Sequence, residues 1–326
     1  MNRTASDTRA ATMRVWALHL AVIAGLYLLQ YLLPSYHHGA MARIMVLAVF
    51  AMGYNLLFGY VGLLSLGHAL FFAAGMYGAG LPIYYLAWGV PAAFATGVAC
   101  GAVLALAVGF LALRTTGVAF MIVTLMFAQV GYLMSLWTAE WTGGDEGLTL
   151  SHAERIMEYG PVFFDLTQRD TRYVFAWLLF SLVLVLTVVV ARSRFGRVLV
   201  AVRENEERTR MLGFDTFANK LAAVVASGAI CAAAGAAYGL LFGYVGASFA
   251  SIQYSILPLL WVLLGGAATT LGPLLGTVFM FYVVDVTSGY TSAYLLIVGV
   301  ALIVLVLFFP KGVLGTVRER WLSWLP

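Results

Sequence analysis

Long apolar runs alternate with short polar breaks along almost the whole chain. The runs are about 17–25 residues long, which is the length that an α-helix needs to cross the hydrocarbon core of a bilayer. We predict ten crossings, or as few as eight where neighbouring runs form broken or re-entrant helices. The predicted spans lie at 15–33, 41–59, 64–86, 90–112, 116–137, 173–191, 219–243, 252–268, 273–288 and 291–310.

The composition agrees with this pattern. Of the 326 residues, 63% are hydrophobic and only 10% are charged, whereas about 25% of the residues in a soluble domain are charged. We therefore predict an all-α polytopic membrane protein, with a transmembrane domain at 15–310 between polar tails at 1–14 and 311–326. The first span is too long for the apolar core of a signal peptide, so we expect it to remain as a membrane helix.

Basic residues indicate the orientation of the spans, because Lys and Arg collect on the cytoplasmic side of a membrane. With the N-terminus inside and ten crossings, 14 of the 18 basic residues fall in inside segments. Both termini are therefore predicted to be cytoplasmic. The four basic residues left outside are Arg43, Arg155, Arg169 and Arg172.

The segment 192–220 interrupts the apolar pattern, since it holds 11 of the 32 charged residues. We predict a helix from near Arg197 to Leu212, ended by Gly213 in a left-handed conformation. Such a helix cannot lie in hydrocarbon, and it offers an exposed apolar strip to a partner. The plainer alternative is a solvated loop whose charges only fix the topology. Two i,i+4 ion pairs are expected to support the helix, Glu204 with Arg208 and Glu206 with Arg210.

A second long polar segment lies at 138–172, on the predicted outside. Segments of this length are usually functional or disordered. It contains the letters WTGGDEGL at 141–148, with three glycines. A glycine-rich turn without a partner is the plainer alternative to a docking surface.

Two glycine-rich stretches fall within the apolar regions, GYVGLLSLGHALFFAAGMYGAG at 59–80 and GGAATTLGPLLG at 265–276. Small residues let membrane helices approach closely. Gly and Pro also break helices where the backbone lines a cavity, as at the substrate sites of transporters. Both interpretations remain open for these stretches.

Few ionisable residues lie within the spans. For His68 we expect a hydrogen bond to a neighbouring helix, with a proton relay as the alternative. His19 and Asp285 lie near span ends, and we expect both to face the membrane interface. No series of Asp, Glu and His crosses the membrane, so the machinery of a proton-driven carrier is missing.

The sequence gives no sign of catalysis. Its two lysines, Lys220 and Lys311, do not follow the glycine pattern of a phosphate loop. It has no paired zinc ligands and no nucleophile elbow. We therefore predict a protein that is not an enzyme, with no metal site, no cofactor and no nucleic-acid partner.

Several motifs resemble those of ABC importer permeases, and more narrowly the branched-chain amino acid permeases of the LivM type. RENE at Arg203–Glu206, followed by Gly213 and Lys220 at intervals of seven residues, resembles the coupling segment of that family. Arg208 and Thr209 depart from the pattern, since small alanines are usual there. Further stretches that resemble family motifs are Thr142–Leu148 (TGG-x-x-GL), Ser65–Phe72 (SLGHA-x-FF), 118–129 (VAFMIVTLMFAQ), 265–273 (GG-x-G-[ST]-x-x-GP, with Ala268 in place of Gly) and 308–315 (FFPKGVLG).

The resemblance implies a permease subunit in a bacterial inner membrane that passes a small uncharged or zwitterionic solute inward, most simply a branched-chain amino acid. It implies cytoplasmic ATPase subunits, a second homologous permease subunit and a periplasmic substrate-binding protein as partners in the lipid bilayer. The implied ATPase-coupling residues are Arg203, Glu204, Asn205, Glu206, Gly213 and Lys220. Those implied for binding-protein docking are Thr142, Gly143, Gly144 and Asp145. Those implied for the translocation path or helix contacts are Ser65, Gly67, His68, Gly266, Gly272 and Pro273. The alternative function is a stand-alone secondary transporter or channel for urea or an amide.

Overall fold

The computed structural model describes residues 5–159, 162–291 and 311–320, together with positions 293, 296, 299, 300, 303, 307 and 308. The described helices are α1 (Ala5–Leu29), α2 (Ser35–Asn55), α3 (His68–Leu86), α4 (Val90–Ala112), α5 (Val118–Trp137), α6 (Ala139–Thr142), α7 (Arg169–Arg192), α8 (Arg194–Glu204), α9 (Glu206–Met211), α10 (Thr216–Phe242), α11 (Ile252–Gly265), α12 (Gly272–Tyr290) and α13 (Gly312–Arg320).

Eight of the described helices are long and apolar enough to cross a membrane, which confirms the predicted all-α polytopic fold. They are α1, α2, α3, α4, α5, α7, α10 and α12. The predicted start of the third span at 64 is wrong, because Gly62 adopts a left-handed conformation and α3 begins only at His68. The span predicted at 291–310 falls mostly outside the described residues.

Helix α2 forms the centre of the molecule. Nearly every residue from Ala40 to Asn55 is buried, and the helix packs against α7, α10, α11 and α12. A helix that is apolar on all sides is covered either by other helices or by lipid, and here other helices surround it. It continues as one turn of π-helix at Leu56–Val61.

Helices α3 and α10 approach each other closely through glycines. A Cβ on Gly75 of α3 would overlap the backbone of Ala232, and one on Gly235 of α10 would overlap the backbone of Phe72. Helix association in membranes relies on this kind of contact, because lipid tails are as apolar as the side chains. Small residues therefore hold α3, α4 and α10 together.

The second glycine-rich stretch forms the turn of a tight helical hairpin between α11 and α12. Gly266 and Ala268 both have positive φ, 116° and 58°, so the helix cannot continue through them. A Cβ on Gly265 would overlap the backbone of Gly272. With 14 residues, α11 is only about 21 Å long, which is shorter than the hydrocarbon core of a bilayer.

Short strands close the end of the molecule opposite to that hairpin turn. Strand β1 (Leu148–Thr149) pairs antiparallel with β4 (Tyr244–Val245), and β2 (Ile156–Tyr159) pairs with β3 (Val162–Asp165). The first pair joins the segment after α6 to the end of α10. The described strands are all confined to these two pairs.

The letters LLFGYVG occur twice, and the two copies have different structures. The copy at 56–62 is π-helical and ends at left-handed Gly62. The copy at 240–246 ends α10 at left-handed Gly243 and then enters β4. The repetition of letters is therefore not a repetition of structure.

Candidate functional site

The charged segment 192–220 folds as three consecutive capped helices. Ser193 accepts a hydrogen bond from the backbone of Gly196 at the start of α8. Asn205 accepts one from Arg208 at 2.8 Å at the start of α9. Asp215 then caps α10. Each cap satisfies an N–H group that would otherwise lack a partner.

The predicted continuous helix from Arg197 to Leu212 is therefore wrong. Asn205 has an extended conformation, with φ −160° and ψ 103°, and it ends α8 while it caps α9. The break separates Glu204 from Arg208, which now belong to different helices. The pair between Glu206 and Arg210 does form, at 3.5 Å.

The end of α9 exposes an apolar surface. Gly213 has φ +89°, which confirms the predicted left-handed helix end. Met211 and Leu212 are 85% and 72% exposed, and Phe214 is exposed beside them. We call these three side chains the apolar tip. Outside a membrane, exposed patches of large apolar side chains are typical of interaction sites.

An ion pair holds α9 against the start of α10. Lys220 Nζ lies 2.6 Å from Oε1 of Glu206, and the lysine is buried. Burial of Glu206 raises its pKa, but the hydrogen bond and charge of Lys220 outweigh this, so the pKa of Glu206 is lowered. A lowered carboxyl pKa stabilises the fold above the unfolded pKa, about 4.3, and this stabilisation is lost as the pH falls through the folded pKa.

Arg203, the last basic residue of α8, connects the charged segment to the end of α2. Its guanidinium donates a hydrogen bond to the carbonyl oxygen of Gly59 in the π-helix. Its aliphatic stem packs against Gly62, and a Cβ on Gly62 would lie 2.8 Å from Cγ of Arg203. π-Helical turns occur frequently at functional sites.

The buried side chain of Asn55 extends this connection to the α11–α12 turn. It donates to the carbonyl oxygen of Thr269 at 2.9 Å and accepts from the N–H of Ala268 at 3.0 Å. Arg318 of α13 donates to the carbonyl oxygen of Ala268 at 3.0 Å. The charged segment, the end of α2 and the turn that begins at Gly266 and leads into Gly272 and Pro273 of α12 are thus joined by hydrogen bonds.

His68 lies at the centre of a buried polar cluster. Its Nε2 is 2.9 Å from Ser227 Oγ on α10, which confirms the predicted hydrogen bond to a neighbouring helix, and its Nδ1 is 3.1 Å from Ser65 Oγ. Ser227 donates to the carbonyl oxygen of Gly53 on α2. A Cβ on Gly67 would lie 2.5 Å from the carbonyl oxygen of Thr124. The cluster joins α2, α3, α5 and α10.

The motif at Thr142–Leu148 forms the turn between α6 and β1. Thr142 is buried and donates to the carbonyl oxygen of Ser135 at 2.5 Å. Gly143 and Gly144 are left-handed, with φ 75° and 59°. Asp145 is exposed. The threonine and the glycines shape the turn, and the acidic side chain faces outward from it.

Two sequence interpretations need correction or completion. His19 does not face the membrane interface, because only 1% of it is exposed. Its Nε2 lies 2.7 Å from Thr270 Oγ1. The roles of Asn55 and Arg318 in the hydrogen-bonded connection were missed. Their partners lie 214 and 50 positions away in the chain, so no local pattern reveals them.

Among the described residues, no three His, Cys, Asp or Glu side chains are placed to hold a metal ion.

Comparisons with known proteins agree with this architecture. The family described as "Branched-chain amino acid transport system / permease component" matches residues 38–307. The chain is 28% identical, over 85% of its length and 69% of the relative's, to the high-affinity branched-chain amino acid transport system permease protein LivM of Escherichia coli (strain K12).

Two further relatives match shorter parts of the chain. The probable branched-chain amino acid transport permease protein LivM of Methanocaldococcus jannaschii is 32% identical over 32% of this chain and 31% of its own. The autoinducer 2 import system permease protein LsrC of Photorhabdus laumondii is 29% identical over 35% of this chain and 34% of its own. No solved structure matches significantly. From the match over residues 38–307, the chain belongs to the family of branched-chain amino acid transport permeases.

Proposed function

We propose that this chain is the membrane-spanning permease subunit of an ABC importer that carries branched-chain amino acids inward. Partner ATPase subunits on the cytoplasmic side supply the energy. The observation that carries the proposal is the apolar tip of Met211, Leu212 and Phe214 at the end of a short capped helix. Charged residues surround this tip, so a protein partner suits it better than lipid does.

The hydrogen bonds around Arg203 and Asn55 suggest how a movement of the ATPase reaches the spans. A displacement of α9 acts on α8 and α10, since Asn205 joins α8 to α9 and Lys220 joins α9 to α10. From α8 it reaches the π-helix through Arg203 and then the α11–α12 turn through Asn55. Packed elements joined in this way shift between discrete arrangements.

The remaining partners take other surfaces. A substrate-binding protein docks outside on the turn at Thr142–Leu148, where Asp145 and Glu146 are exposed. A second, homologous permease subunit completes the pathway in the bacterial inner membrane. The bilayer contacts α5, whose outer side shows large apolar residues at helical spacing: Val118, Ile122, Met126, Val130 and Leu133.

The experiment is reconstitution of the chain in proteoliposomes with its sister permease, the two ATPases and the binding protein. We expect uptake of L-leucine that requires both ATP and the binding protein. Matched vesicles without the ATPases should show no uptake. Leucine or urea uptake by vesicles that contain this chain alone would overturn the proposal in favour of a stand-alone carrier or channel.

A further inference from the structure

A cavity of about 450 Å³ lies between α2, α11 and α12, and an acid and a base both line it. Arg43 of α2 and Asp285 of α12 are the charged residues among its described lining, and Leu257, Leu260, Trp261 and Phe281 belong to its apolar wall. This volume is ample for a leucine-sized molecule, since ligand pockets commonly measure about 300–1,000 Å³.

Both charged residues lie within helices that span the membrane. Arg43 lies eight positions after the first residue of α2 and Asp285 five positions before the last residue of α12, which is about 8–12 Å from the helix ends. Ionisable residues at such positions face a bundle interior or a water-filled cavity, and they mark substrate pathways.

The two charges do not form an ion pair with each other. Among the described residues, no ion pair within 4 Å joins Arg43 to Asp285. Asp285 accepts a hydrogen bond from the hydroxyl of Tyr36. The guanidinium of Arg43 lies 4.8 Å from the centre of the Phe242 ring. Each charge keeps bonding capacity towards the cavity, because a carboxylate accepts several hydrogen bonds and a guanidinium donates five.

We propose that Arg43 and Asp285 form a binding site for a zwitterionic amino acid within the permease itself. This inference rests on the proposed function and names the residues that recognise the solute inside the membrane. The guanidinium binds the α-carboxylate through paired hydrogen bonds. The Asp285 carboxylate binds the α-ammonium group, and the wall of Leu257, Leu260, Trp261 and Phe281 takes the aliphatic side chain.

The chemistry of the cavity selects this ligand class. A purely apolar solute leaves both charges desolvated without an oppositely charged partner, which is costly. A simple cation or anion satisfies one charge and leaves the other. A zwitterion with an apolar side chain satisfies both charges and the wall together.

The test is binding of radiolabelled L-leucine to the purified complex without its binding protein, in the variants Arg43→Gln and Asp285→Asn. We expect each variant to lower the affinity for L-leucine about tenfold or more, since charge-assisted hydrogen bonds are worth that much. Matched controls are Arg172→Gln and Asp170→Asn. Arg172 also lies over the Phe242 ring, and neither control residue belongs to the described lining of the cavity.

Two analogues separate a direct contact from a general disturbance of the site. L-Leucinamide lacks the carboxylate, so Arg43→Gln should change its affinity less than about twofold. 4-Methylpentanoate lacks the ammonium group, so Asp285→Asn should leave its affinity equally unchanged. The proposal is overturned if Arg43→Gln loses as much affinity for L-leucinamide as for L-leucine, or if Asp285→Asn loses as much for 4-methylpentanoate as for L-leucine. It is also overturned if the unaltered complex binds no L-leucine.

This result is separable from the proposed function. If Arg43→Gln and Asp285→Asn bind L-leucine normally while the complex still imports it with ATP, only the zwitterion site is wrong. If the unaltered complex binds L-leucine, Arg43→Gln and Asp285→Asn lose that binding, and the unaltered complex does not transport L-leucine with ATP, the importer assignment is wrong and the site stands.

Discussion

Lys220 Nζ lies 2.6 Å from Glu206 Oε1 and ties the first turns of α10 to those of α9. The lysine is buried, whereas the glutamate keeps about a third of its side chain exposed, 31%. The two partners therefore differ in what their removal costs. Removal of Glu206 leaves the charge of Lys220 buried without a partner, and this costs more free energy than the loss of both charges together.

Glu206→Ala should therefore destabilise the protein more than Lys220→Met. We expect Glu206→Ala to lower the free energy of unfolding by about 1–2 kcal/mol, limited by the solvent access of the pair. The double variant should be close to Lys220→Met alone, since no charge is then left buried. Thermal unfolding of the purified protein measures this, with Glu207→Ala as the control, because Glu207 is exposed in the same turn. Equal effects of the two single variants would contradict the account.

Gly213→Val should uncouple transport while Gly213→Asn should not. Gly213 has φ +89°, and a Cβ there would meet nothing within 4 Å, so only backbone strain opposes a substitution. Asn tolerates the left-handed conformation and a β-branched residue does not. Substrate-stimulated ATP hydrolysis by the complex checks this prediction at equal membrane levels of both variants. Normal rates in both would mean that the helix end does not need its left-handed residue.

Gly67→Leu and Gly266→Leu should abolish transport while the protein still reaches the membrane. A Cβ on Gly67 would lie 2.5 Å from the carbonyl oxygen of Thr124, and one on Gly266 would lie 2.7 Å from the backbone N of Gly315. Backbone atoms at these distances cannot move aside as a flexible side chain can. Gly25→Leu is the control, because nothing lies within 4 Å of its Cβ position. Normal L-leucine uptake by both variants would show that transport does not depend on the close contacts at Gly67 and Gly266.

Cysteines placed at Thr149 and Arg210 should react with a membrane-impermeant thiol reagent from opposite sides of the membrane, Thr149 from outside. Thr209 is less suitable although it is adjacent, because it is buried. Both cysteines are introduced into a chain that carries Cys100→Ser, because the native Cys100 is exposed, whereas the native Cys231 is buried. Labelling of both positions from the same side would contradict the predicted orientation.

The sequence predicted the spans well because a bilayer imposes a length and an apolar composition that each helix must satisfy by itself. The helices that contain His68, Cys100 and Lys220 are therefore visible in single stretches of sequence. Gly213 was also predictable, since a glycine after a helical pattern is a local signal.

The break at Asn205 and the burial of His19 were not predicted, for different reasons. Charge spacing favoured one continuous helix, although an asparagine followed by two acidic residues is also a signal for a helix start, and that signal was overlooked. His19 is buried, and its Nε2 shares a hydrogen bond with the hydroxyl of Thr270, which lies 251 positions away in the chain. Contacts over such separations, like the shared cavity of Arg43 and Asp285, follow from packing and are not encoded locally.

The most direct test of the coupling account is substrate-stimulated ATP hydrolysis by the complete complex that carries Leu212→Asp. Leu212 is 72% exposed in the apolar tip, so a charge there costs this chain little and prevents its burial against an ATPase. Because burial of a leucine is worth about 1.5–3 kcal/mol, we predict at least a tenfold loss of stimulation. The control Leu212→Met, which keeps a large apolar side chain at the same exposed position, should keep the normal rate. A normal stimulated rate in Leu212→Asp would contradict the account.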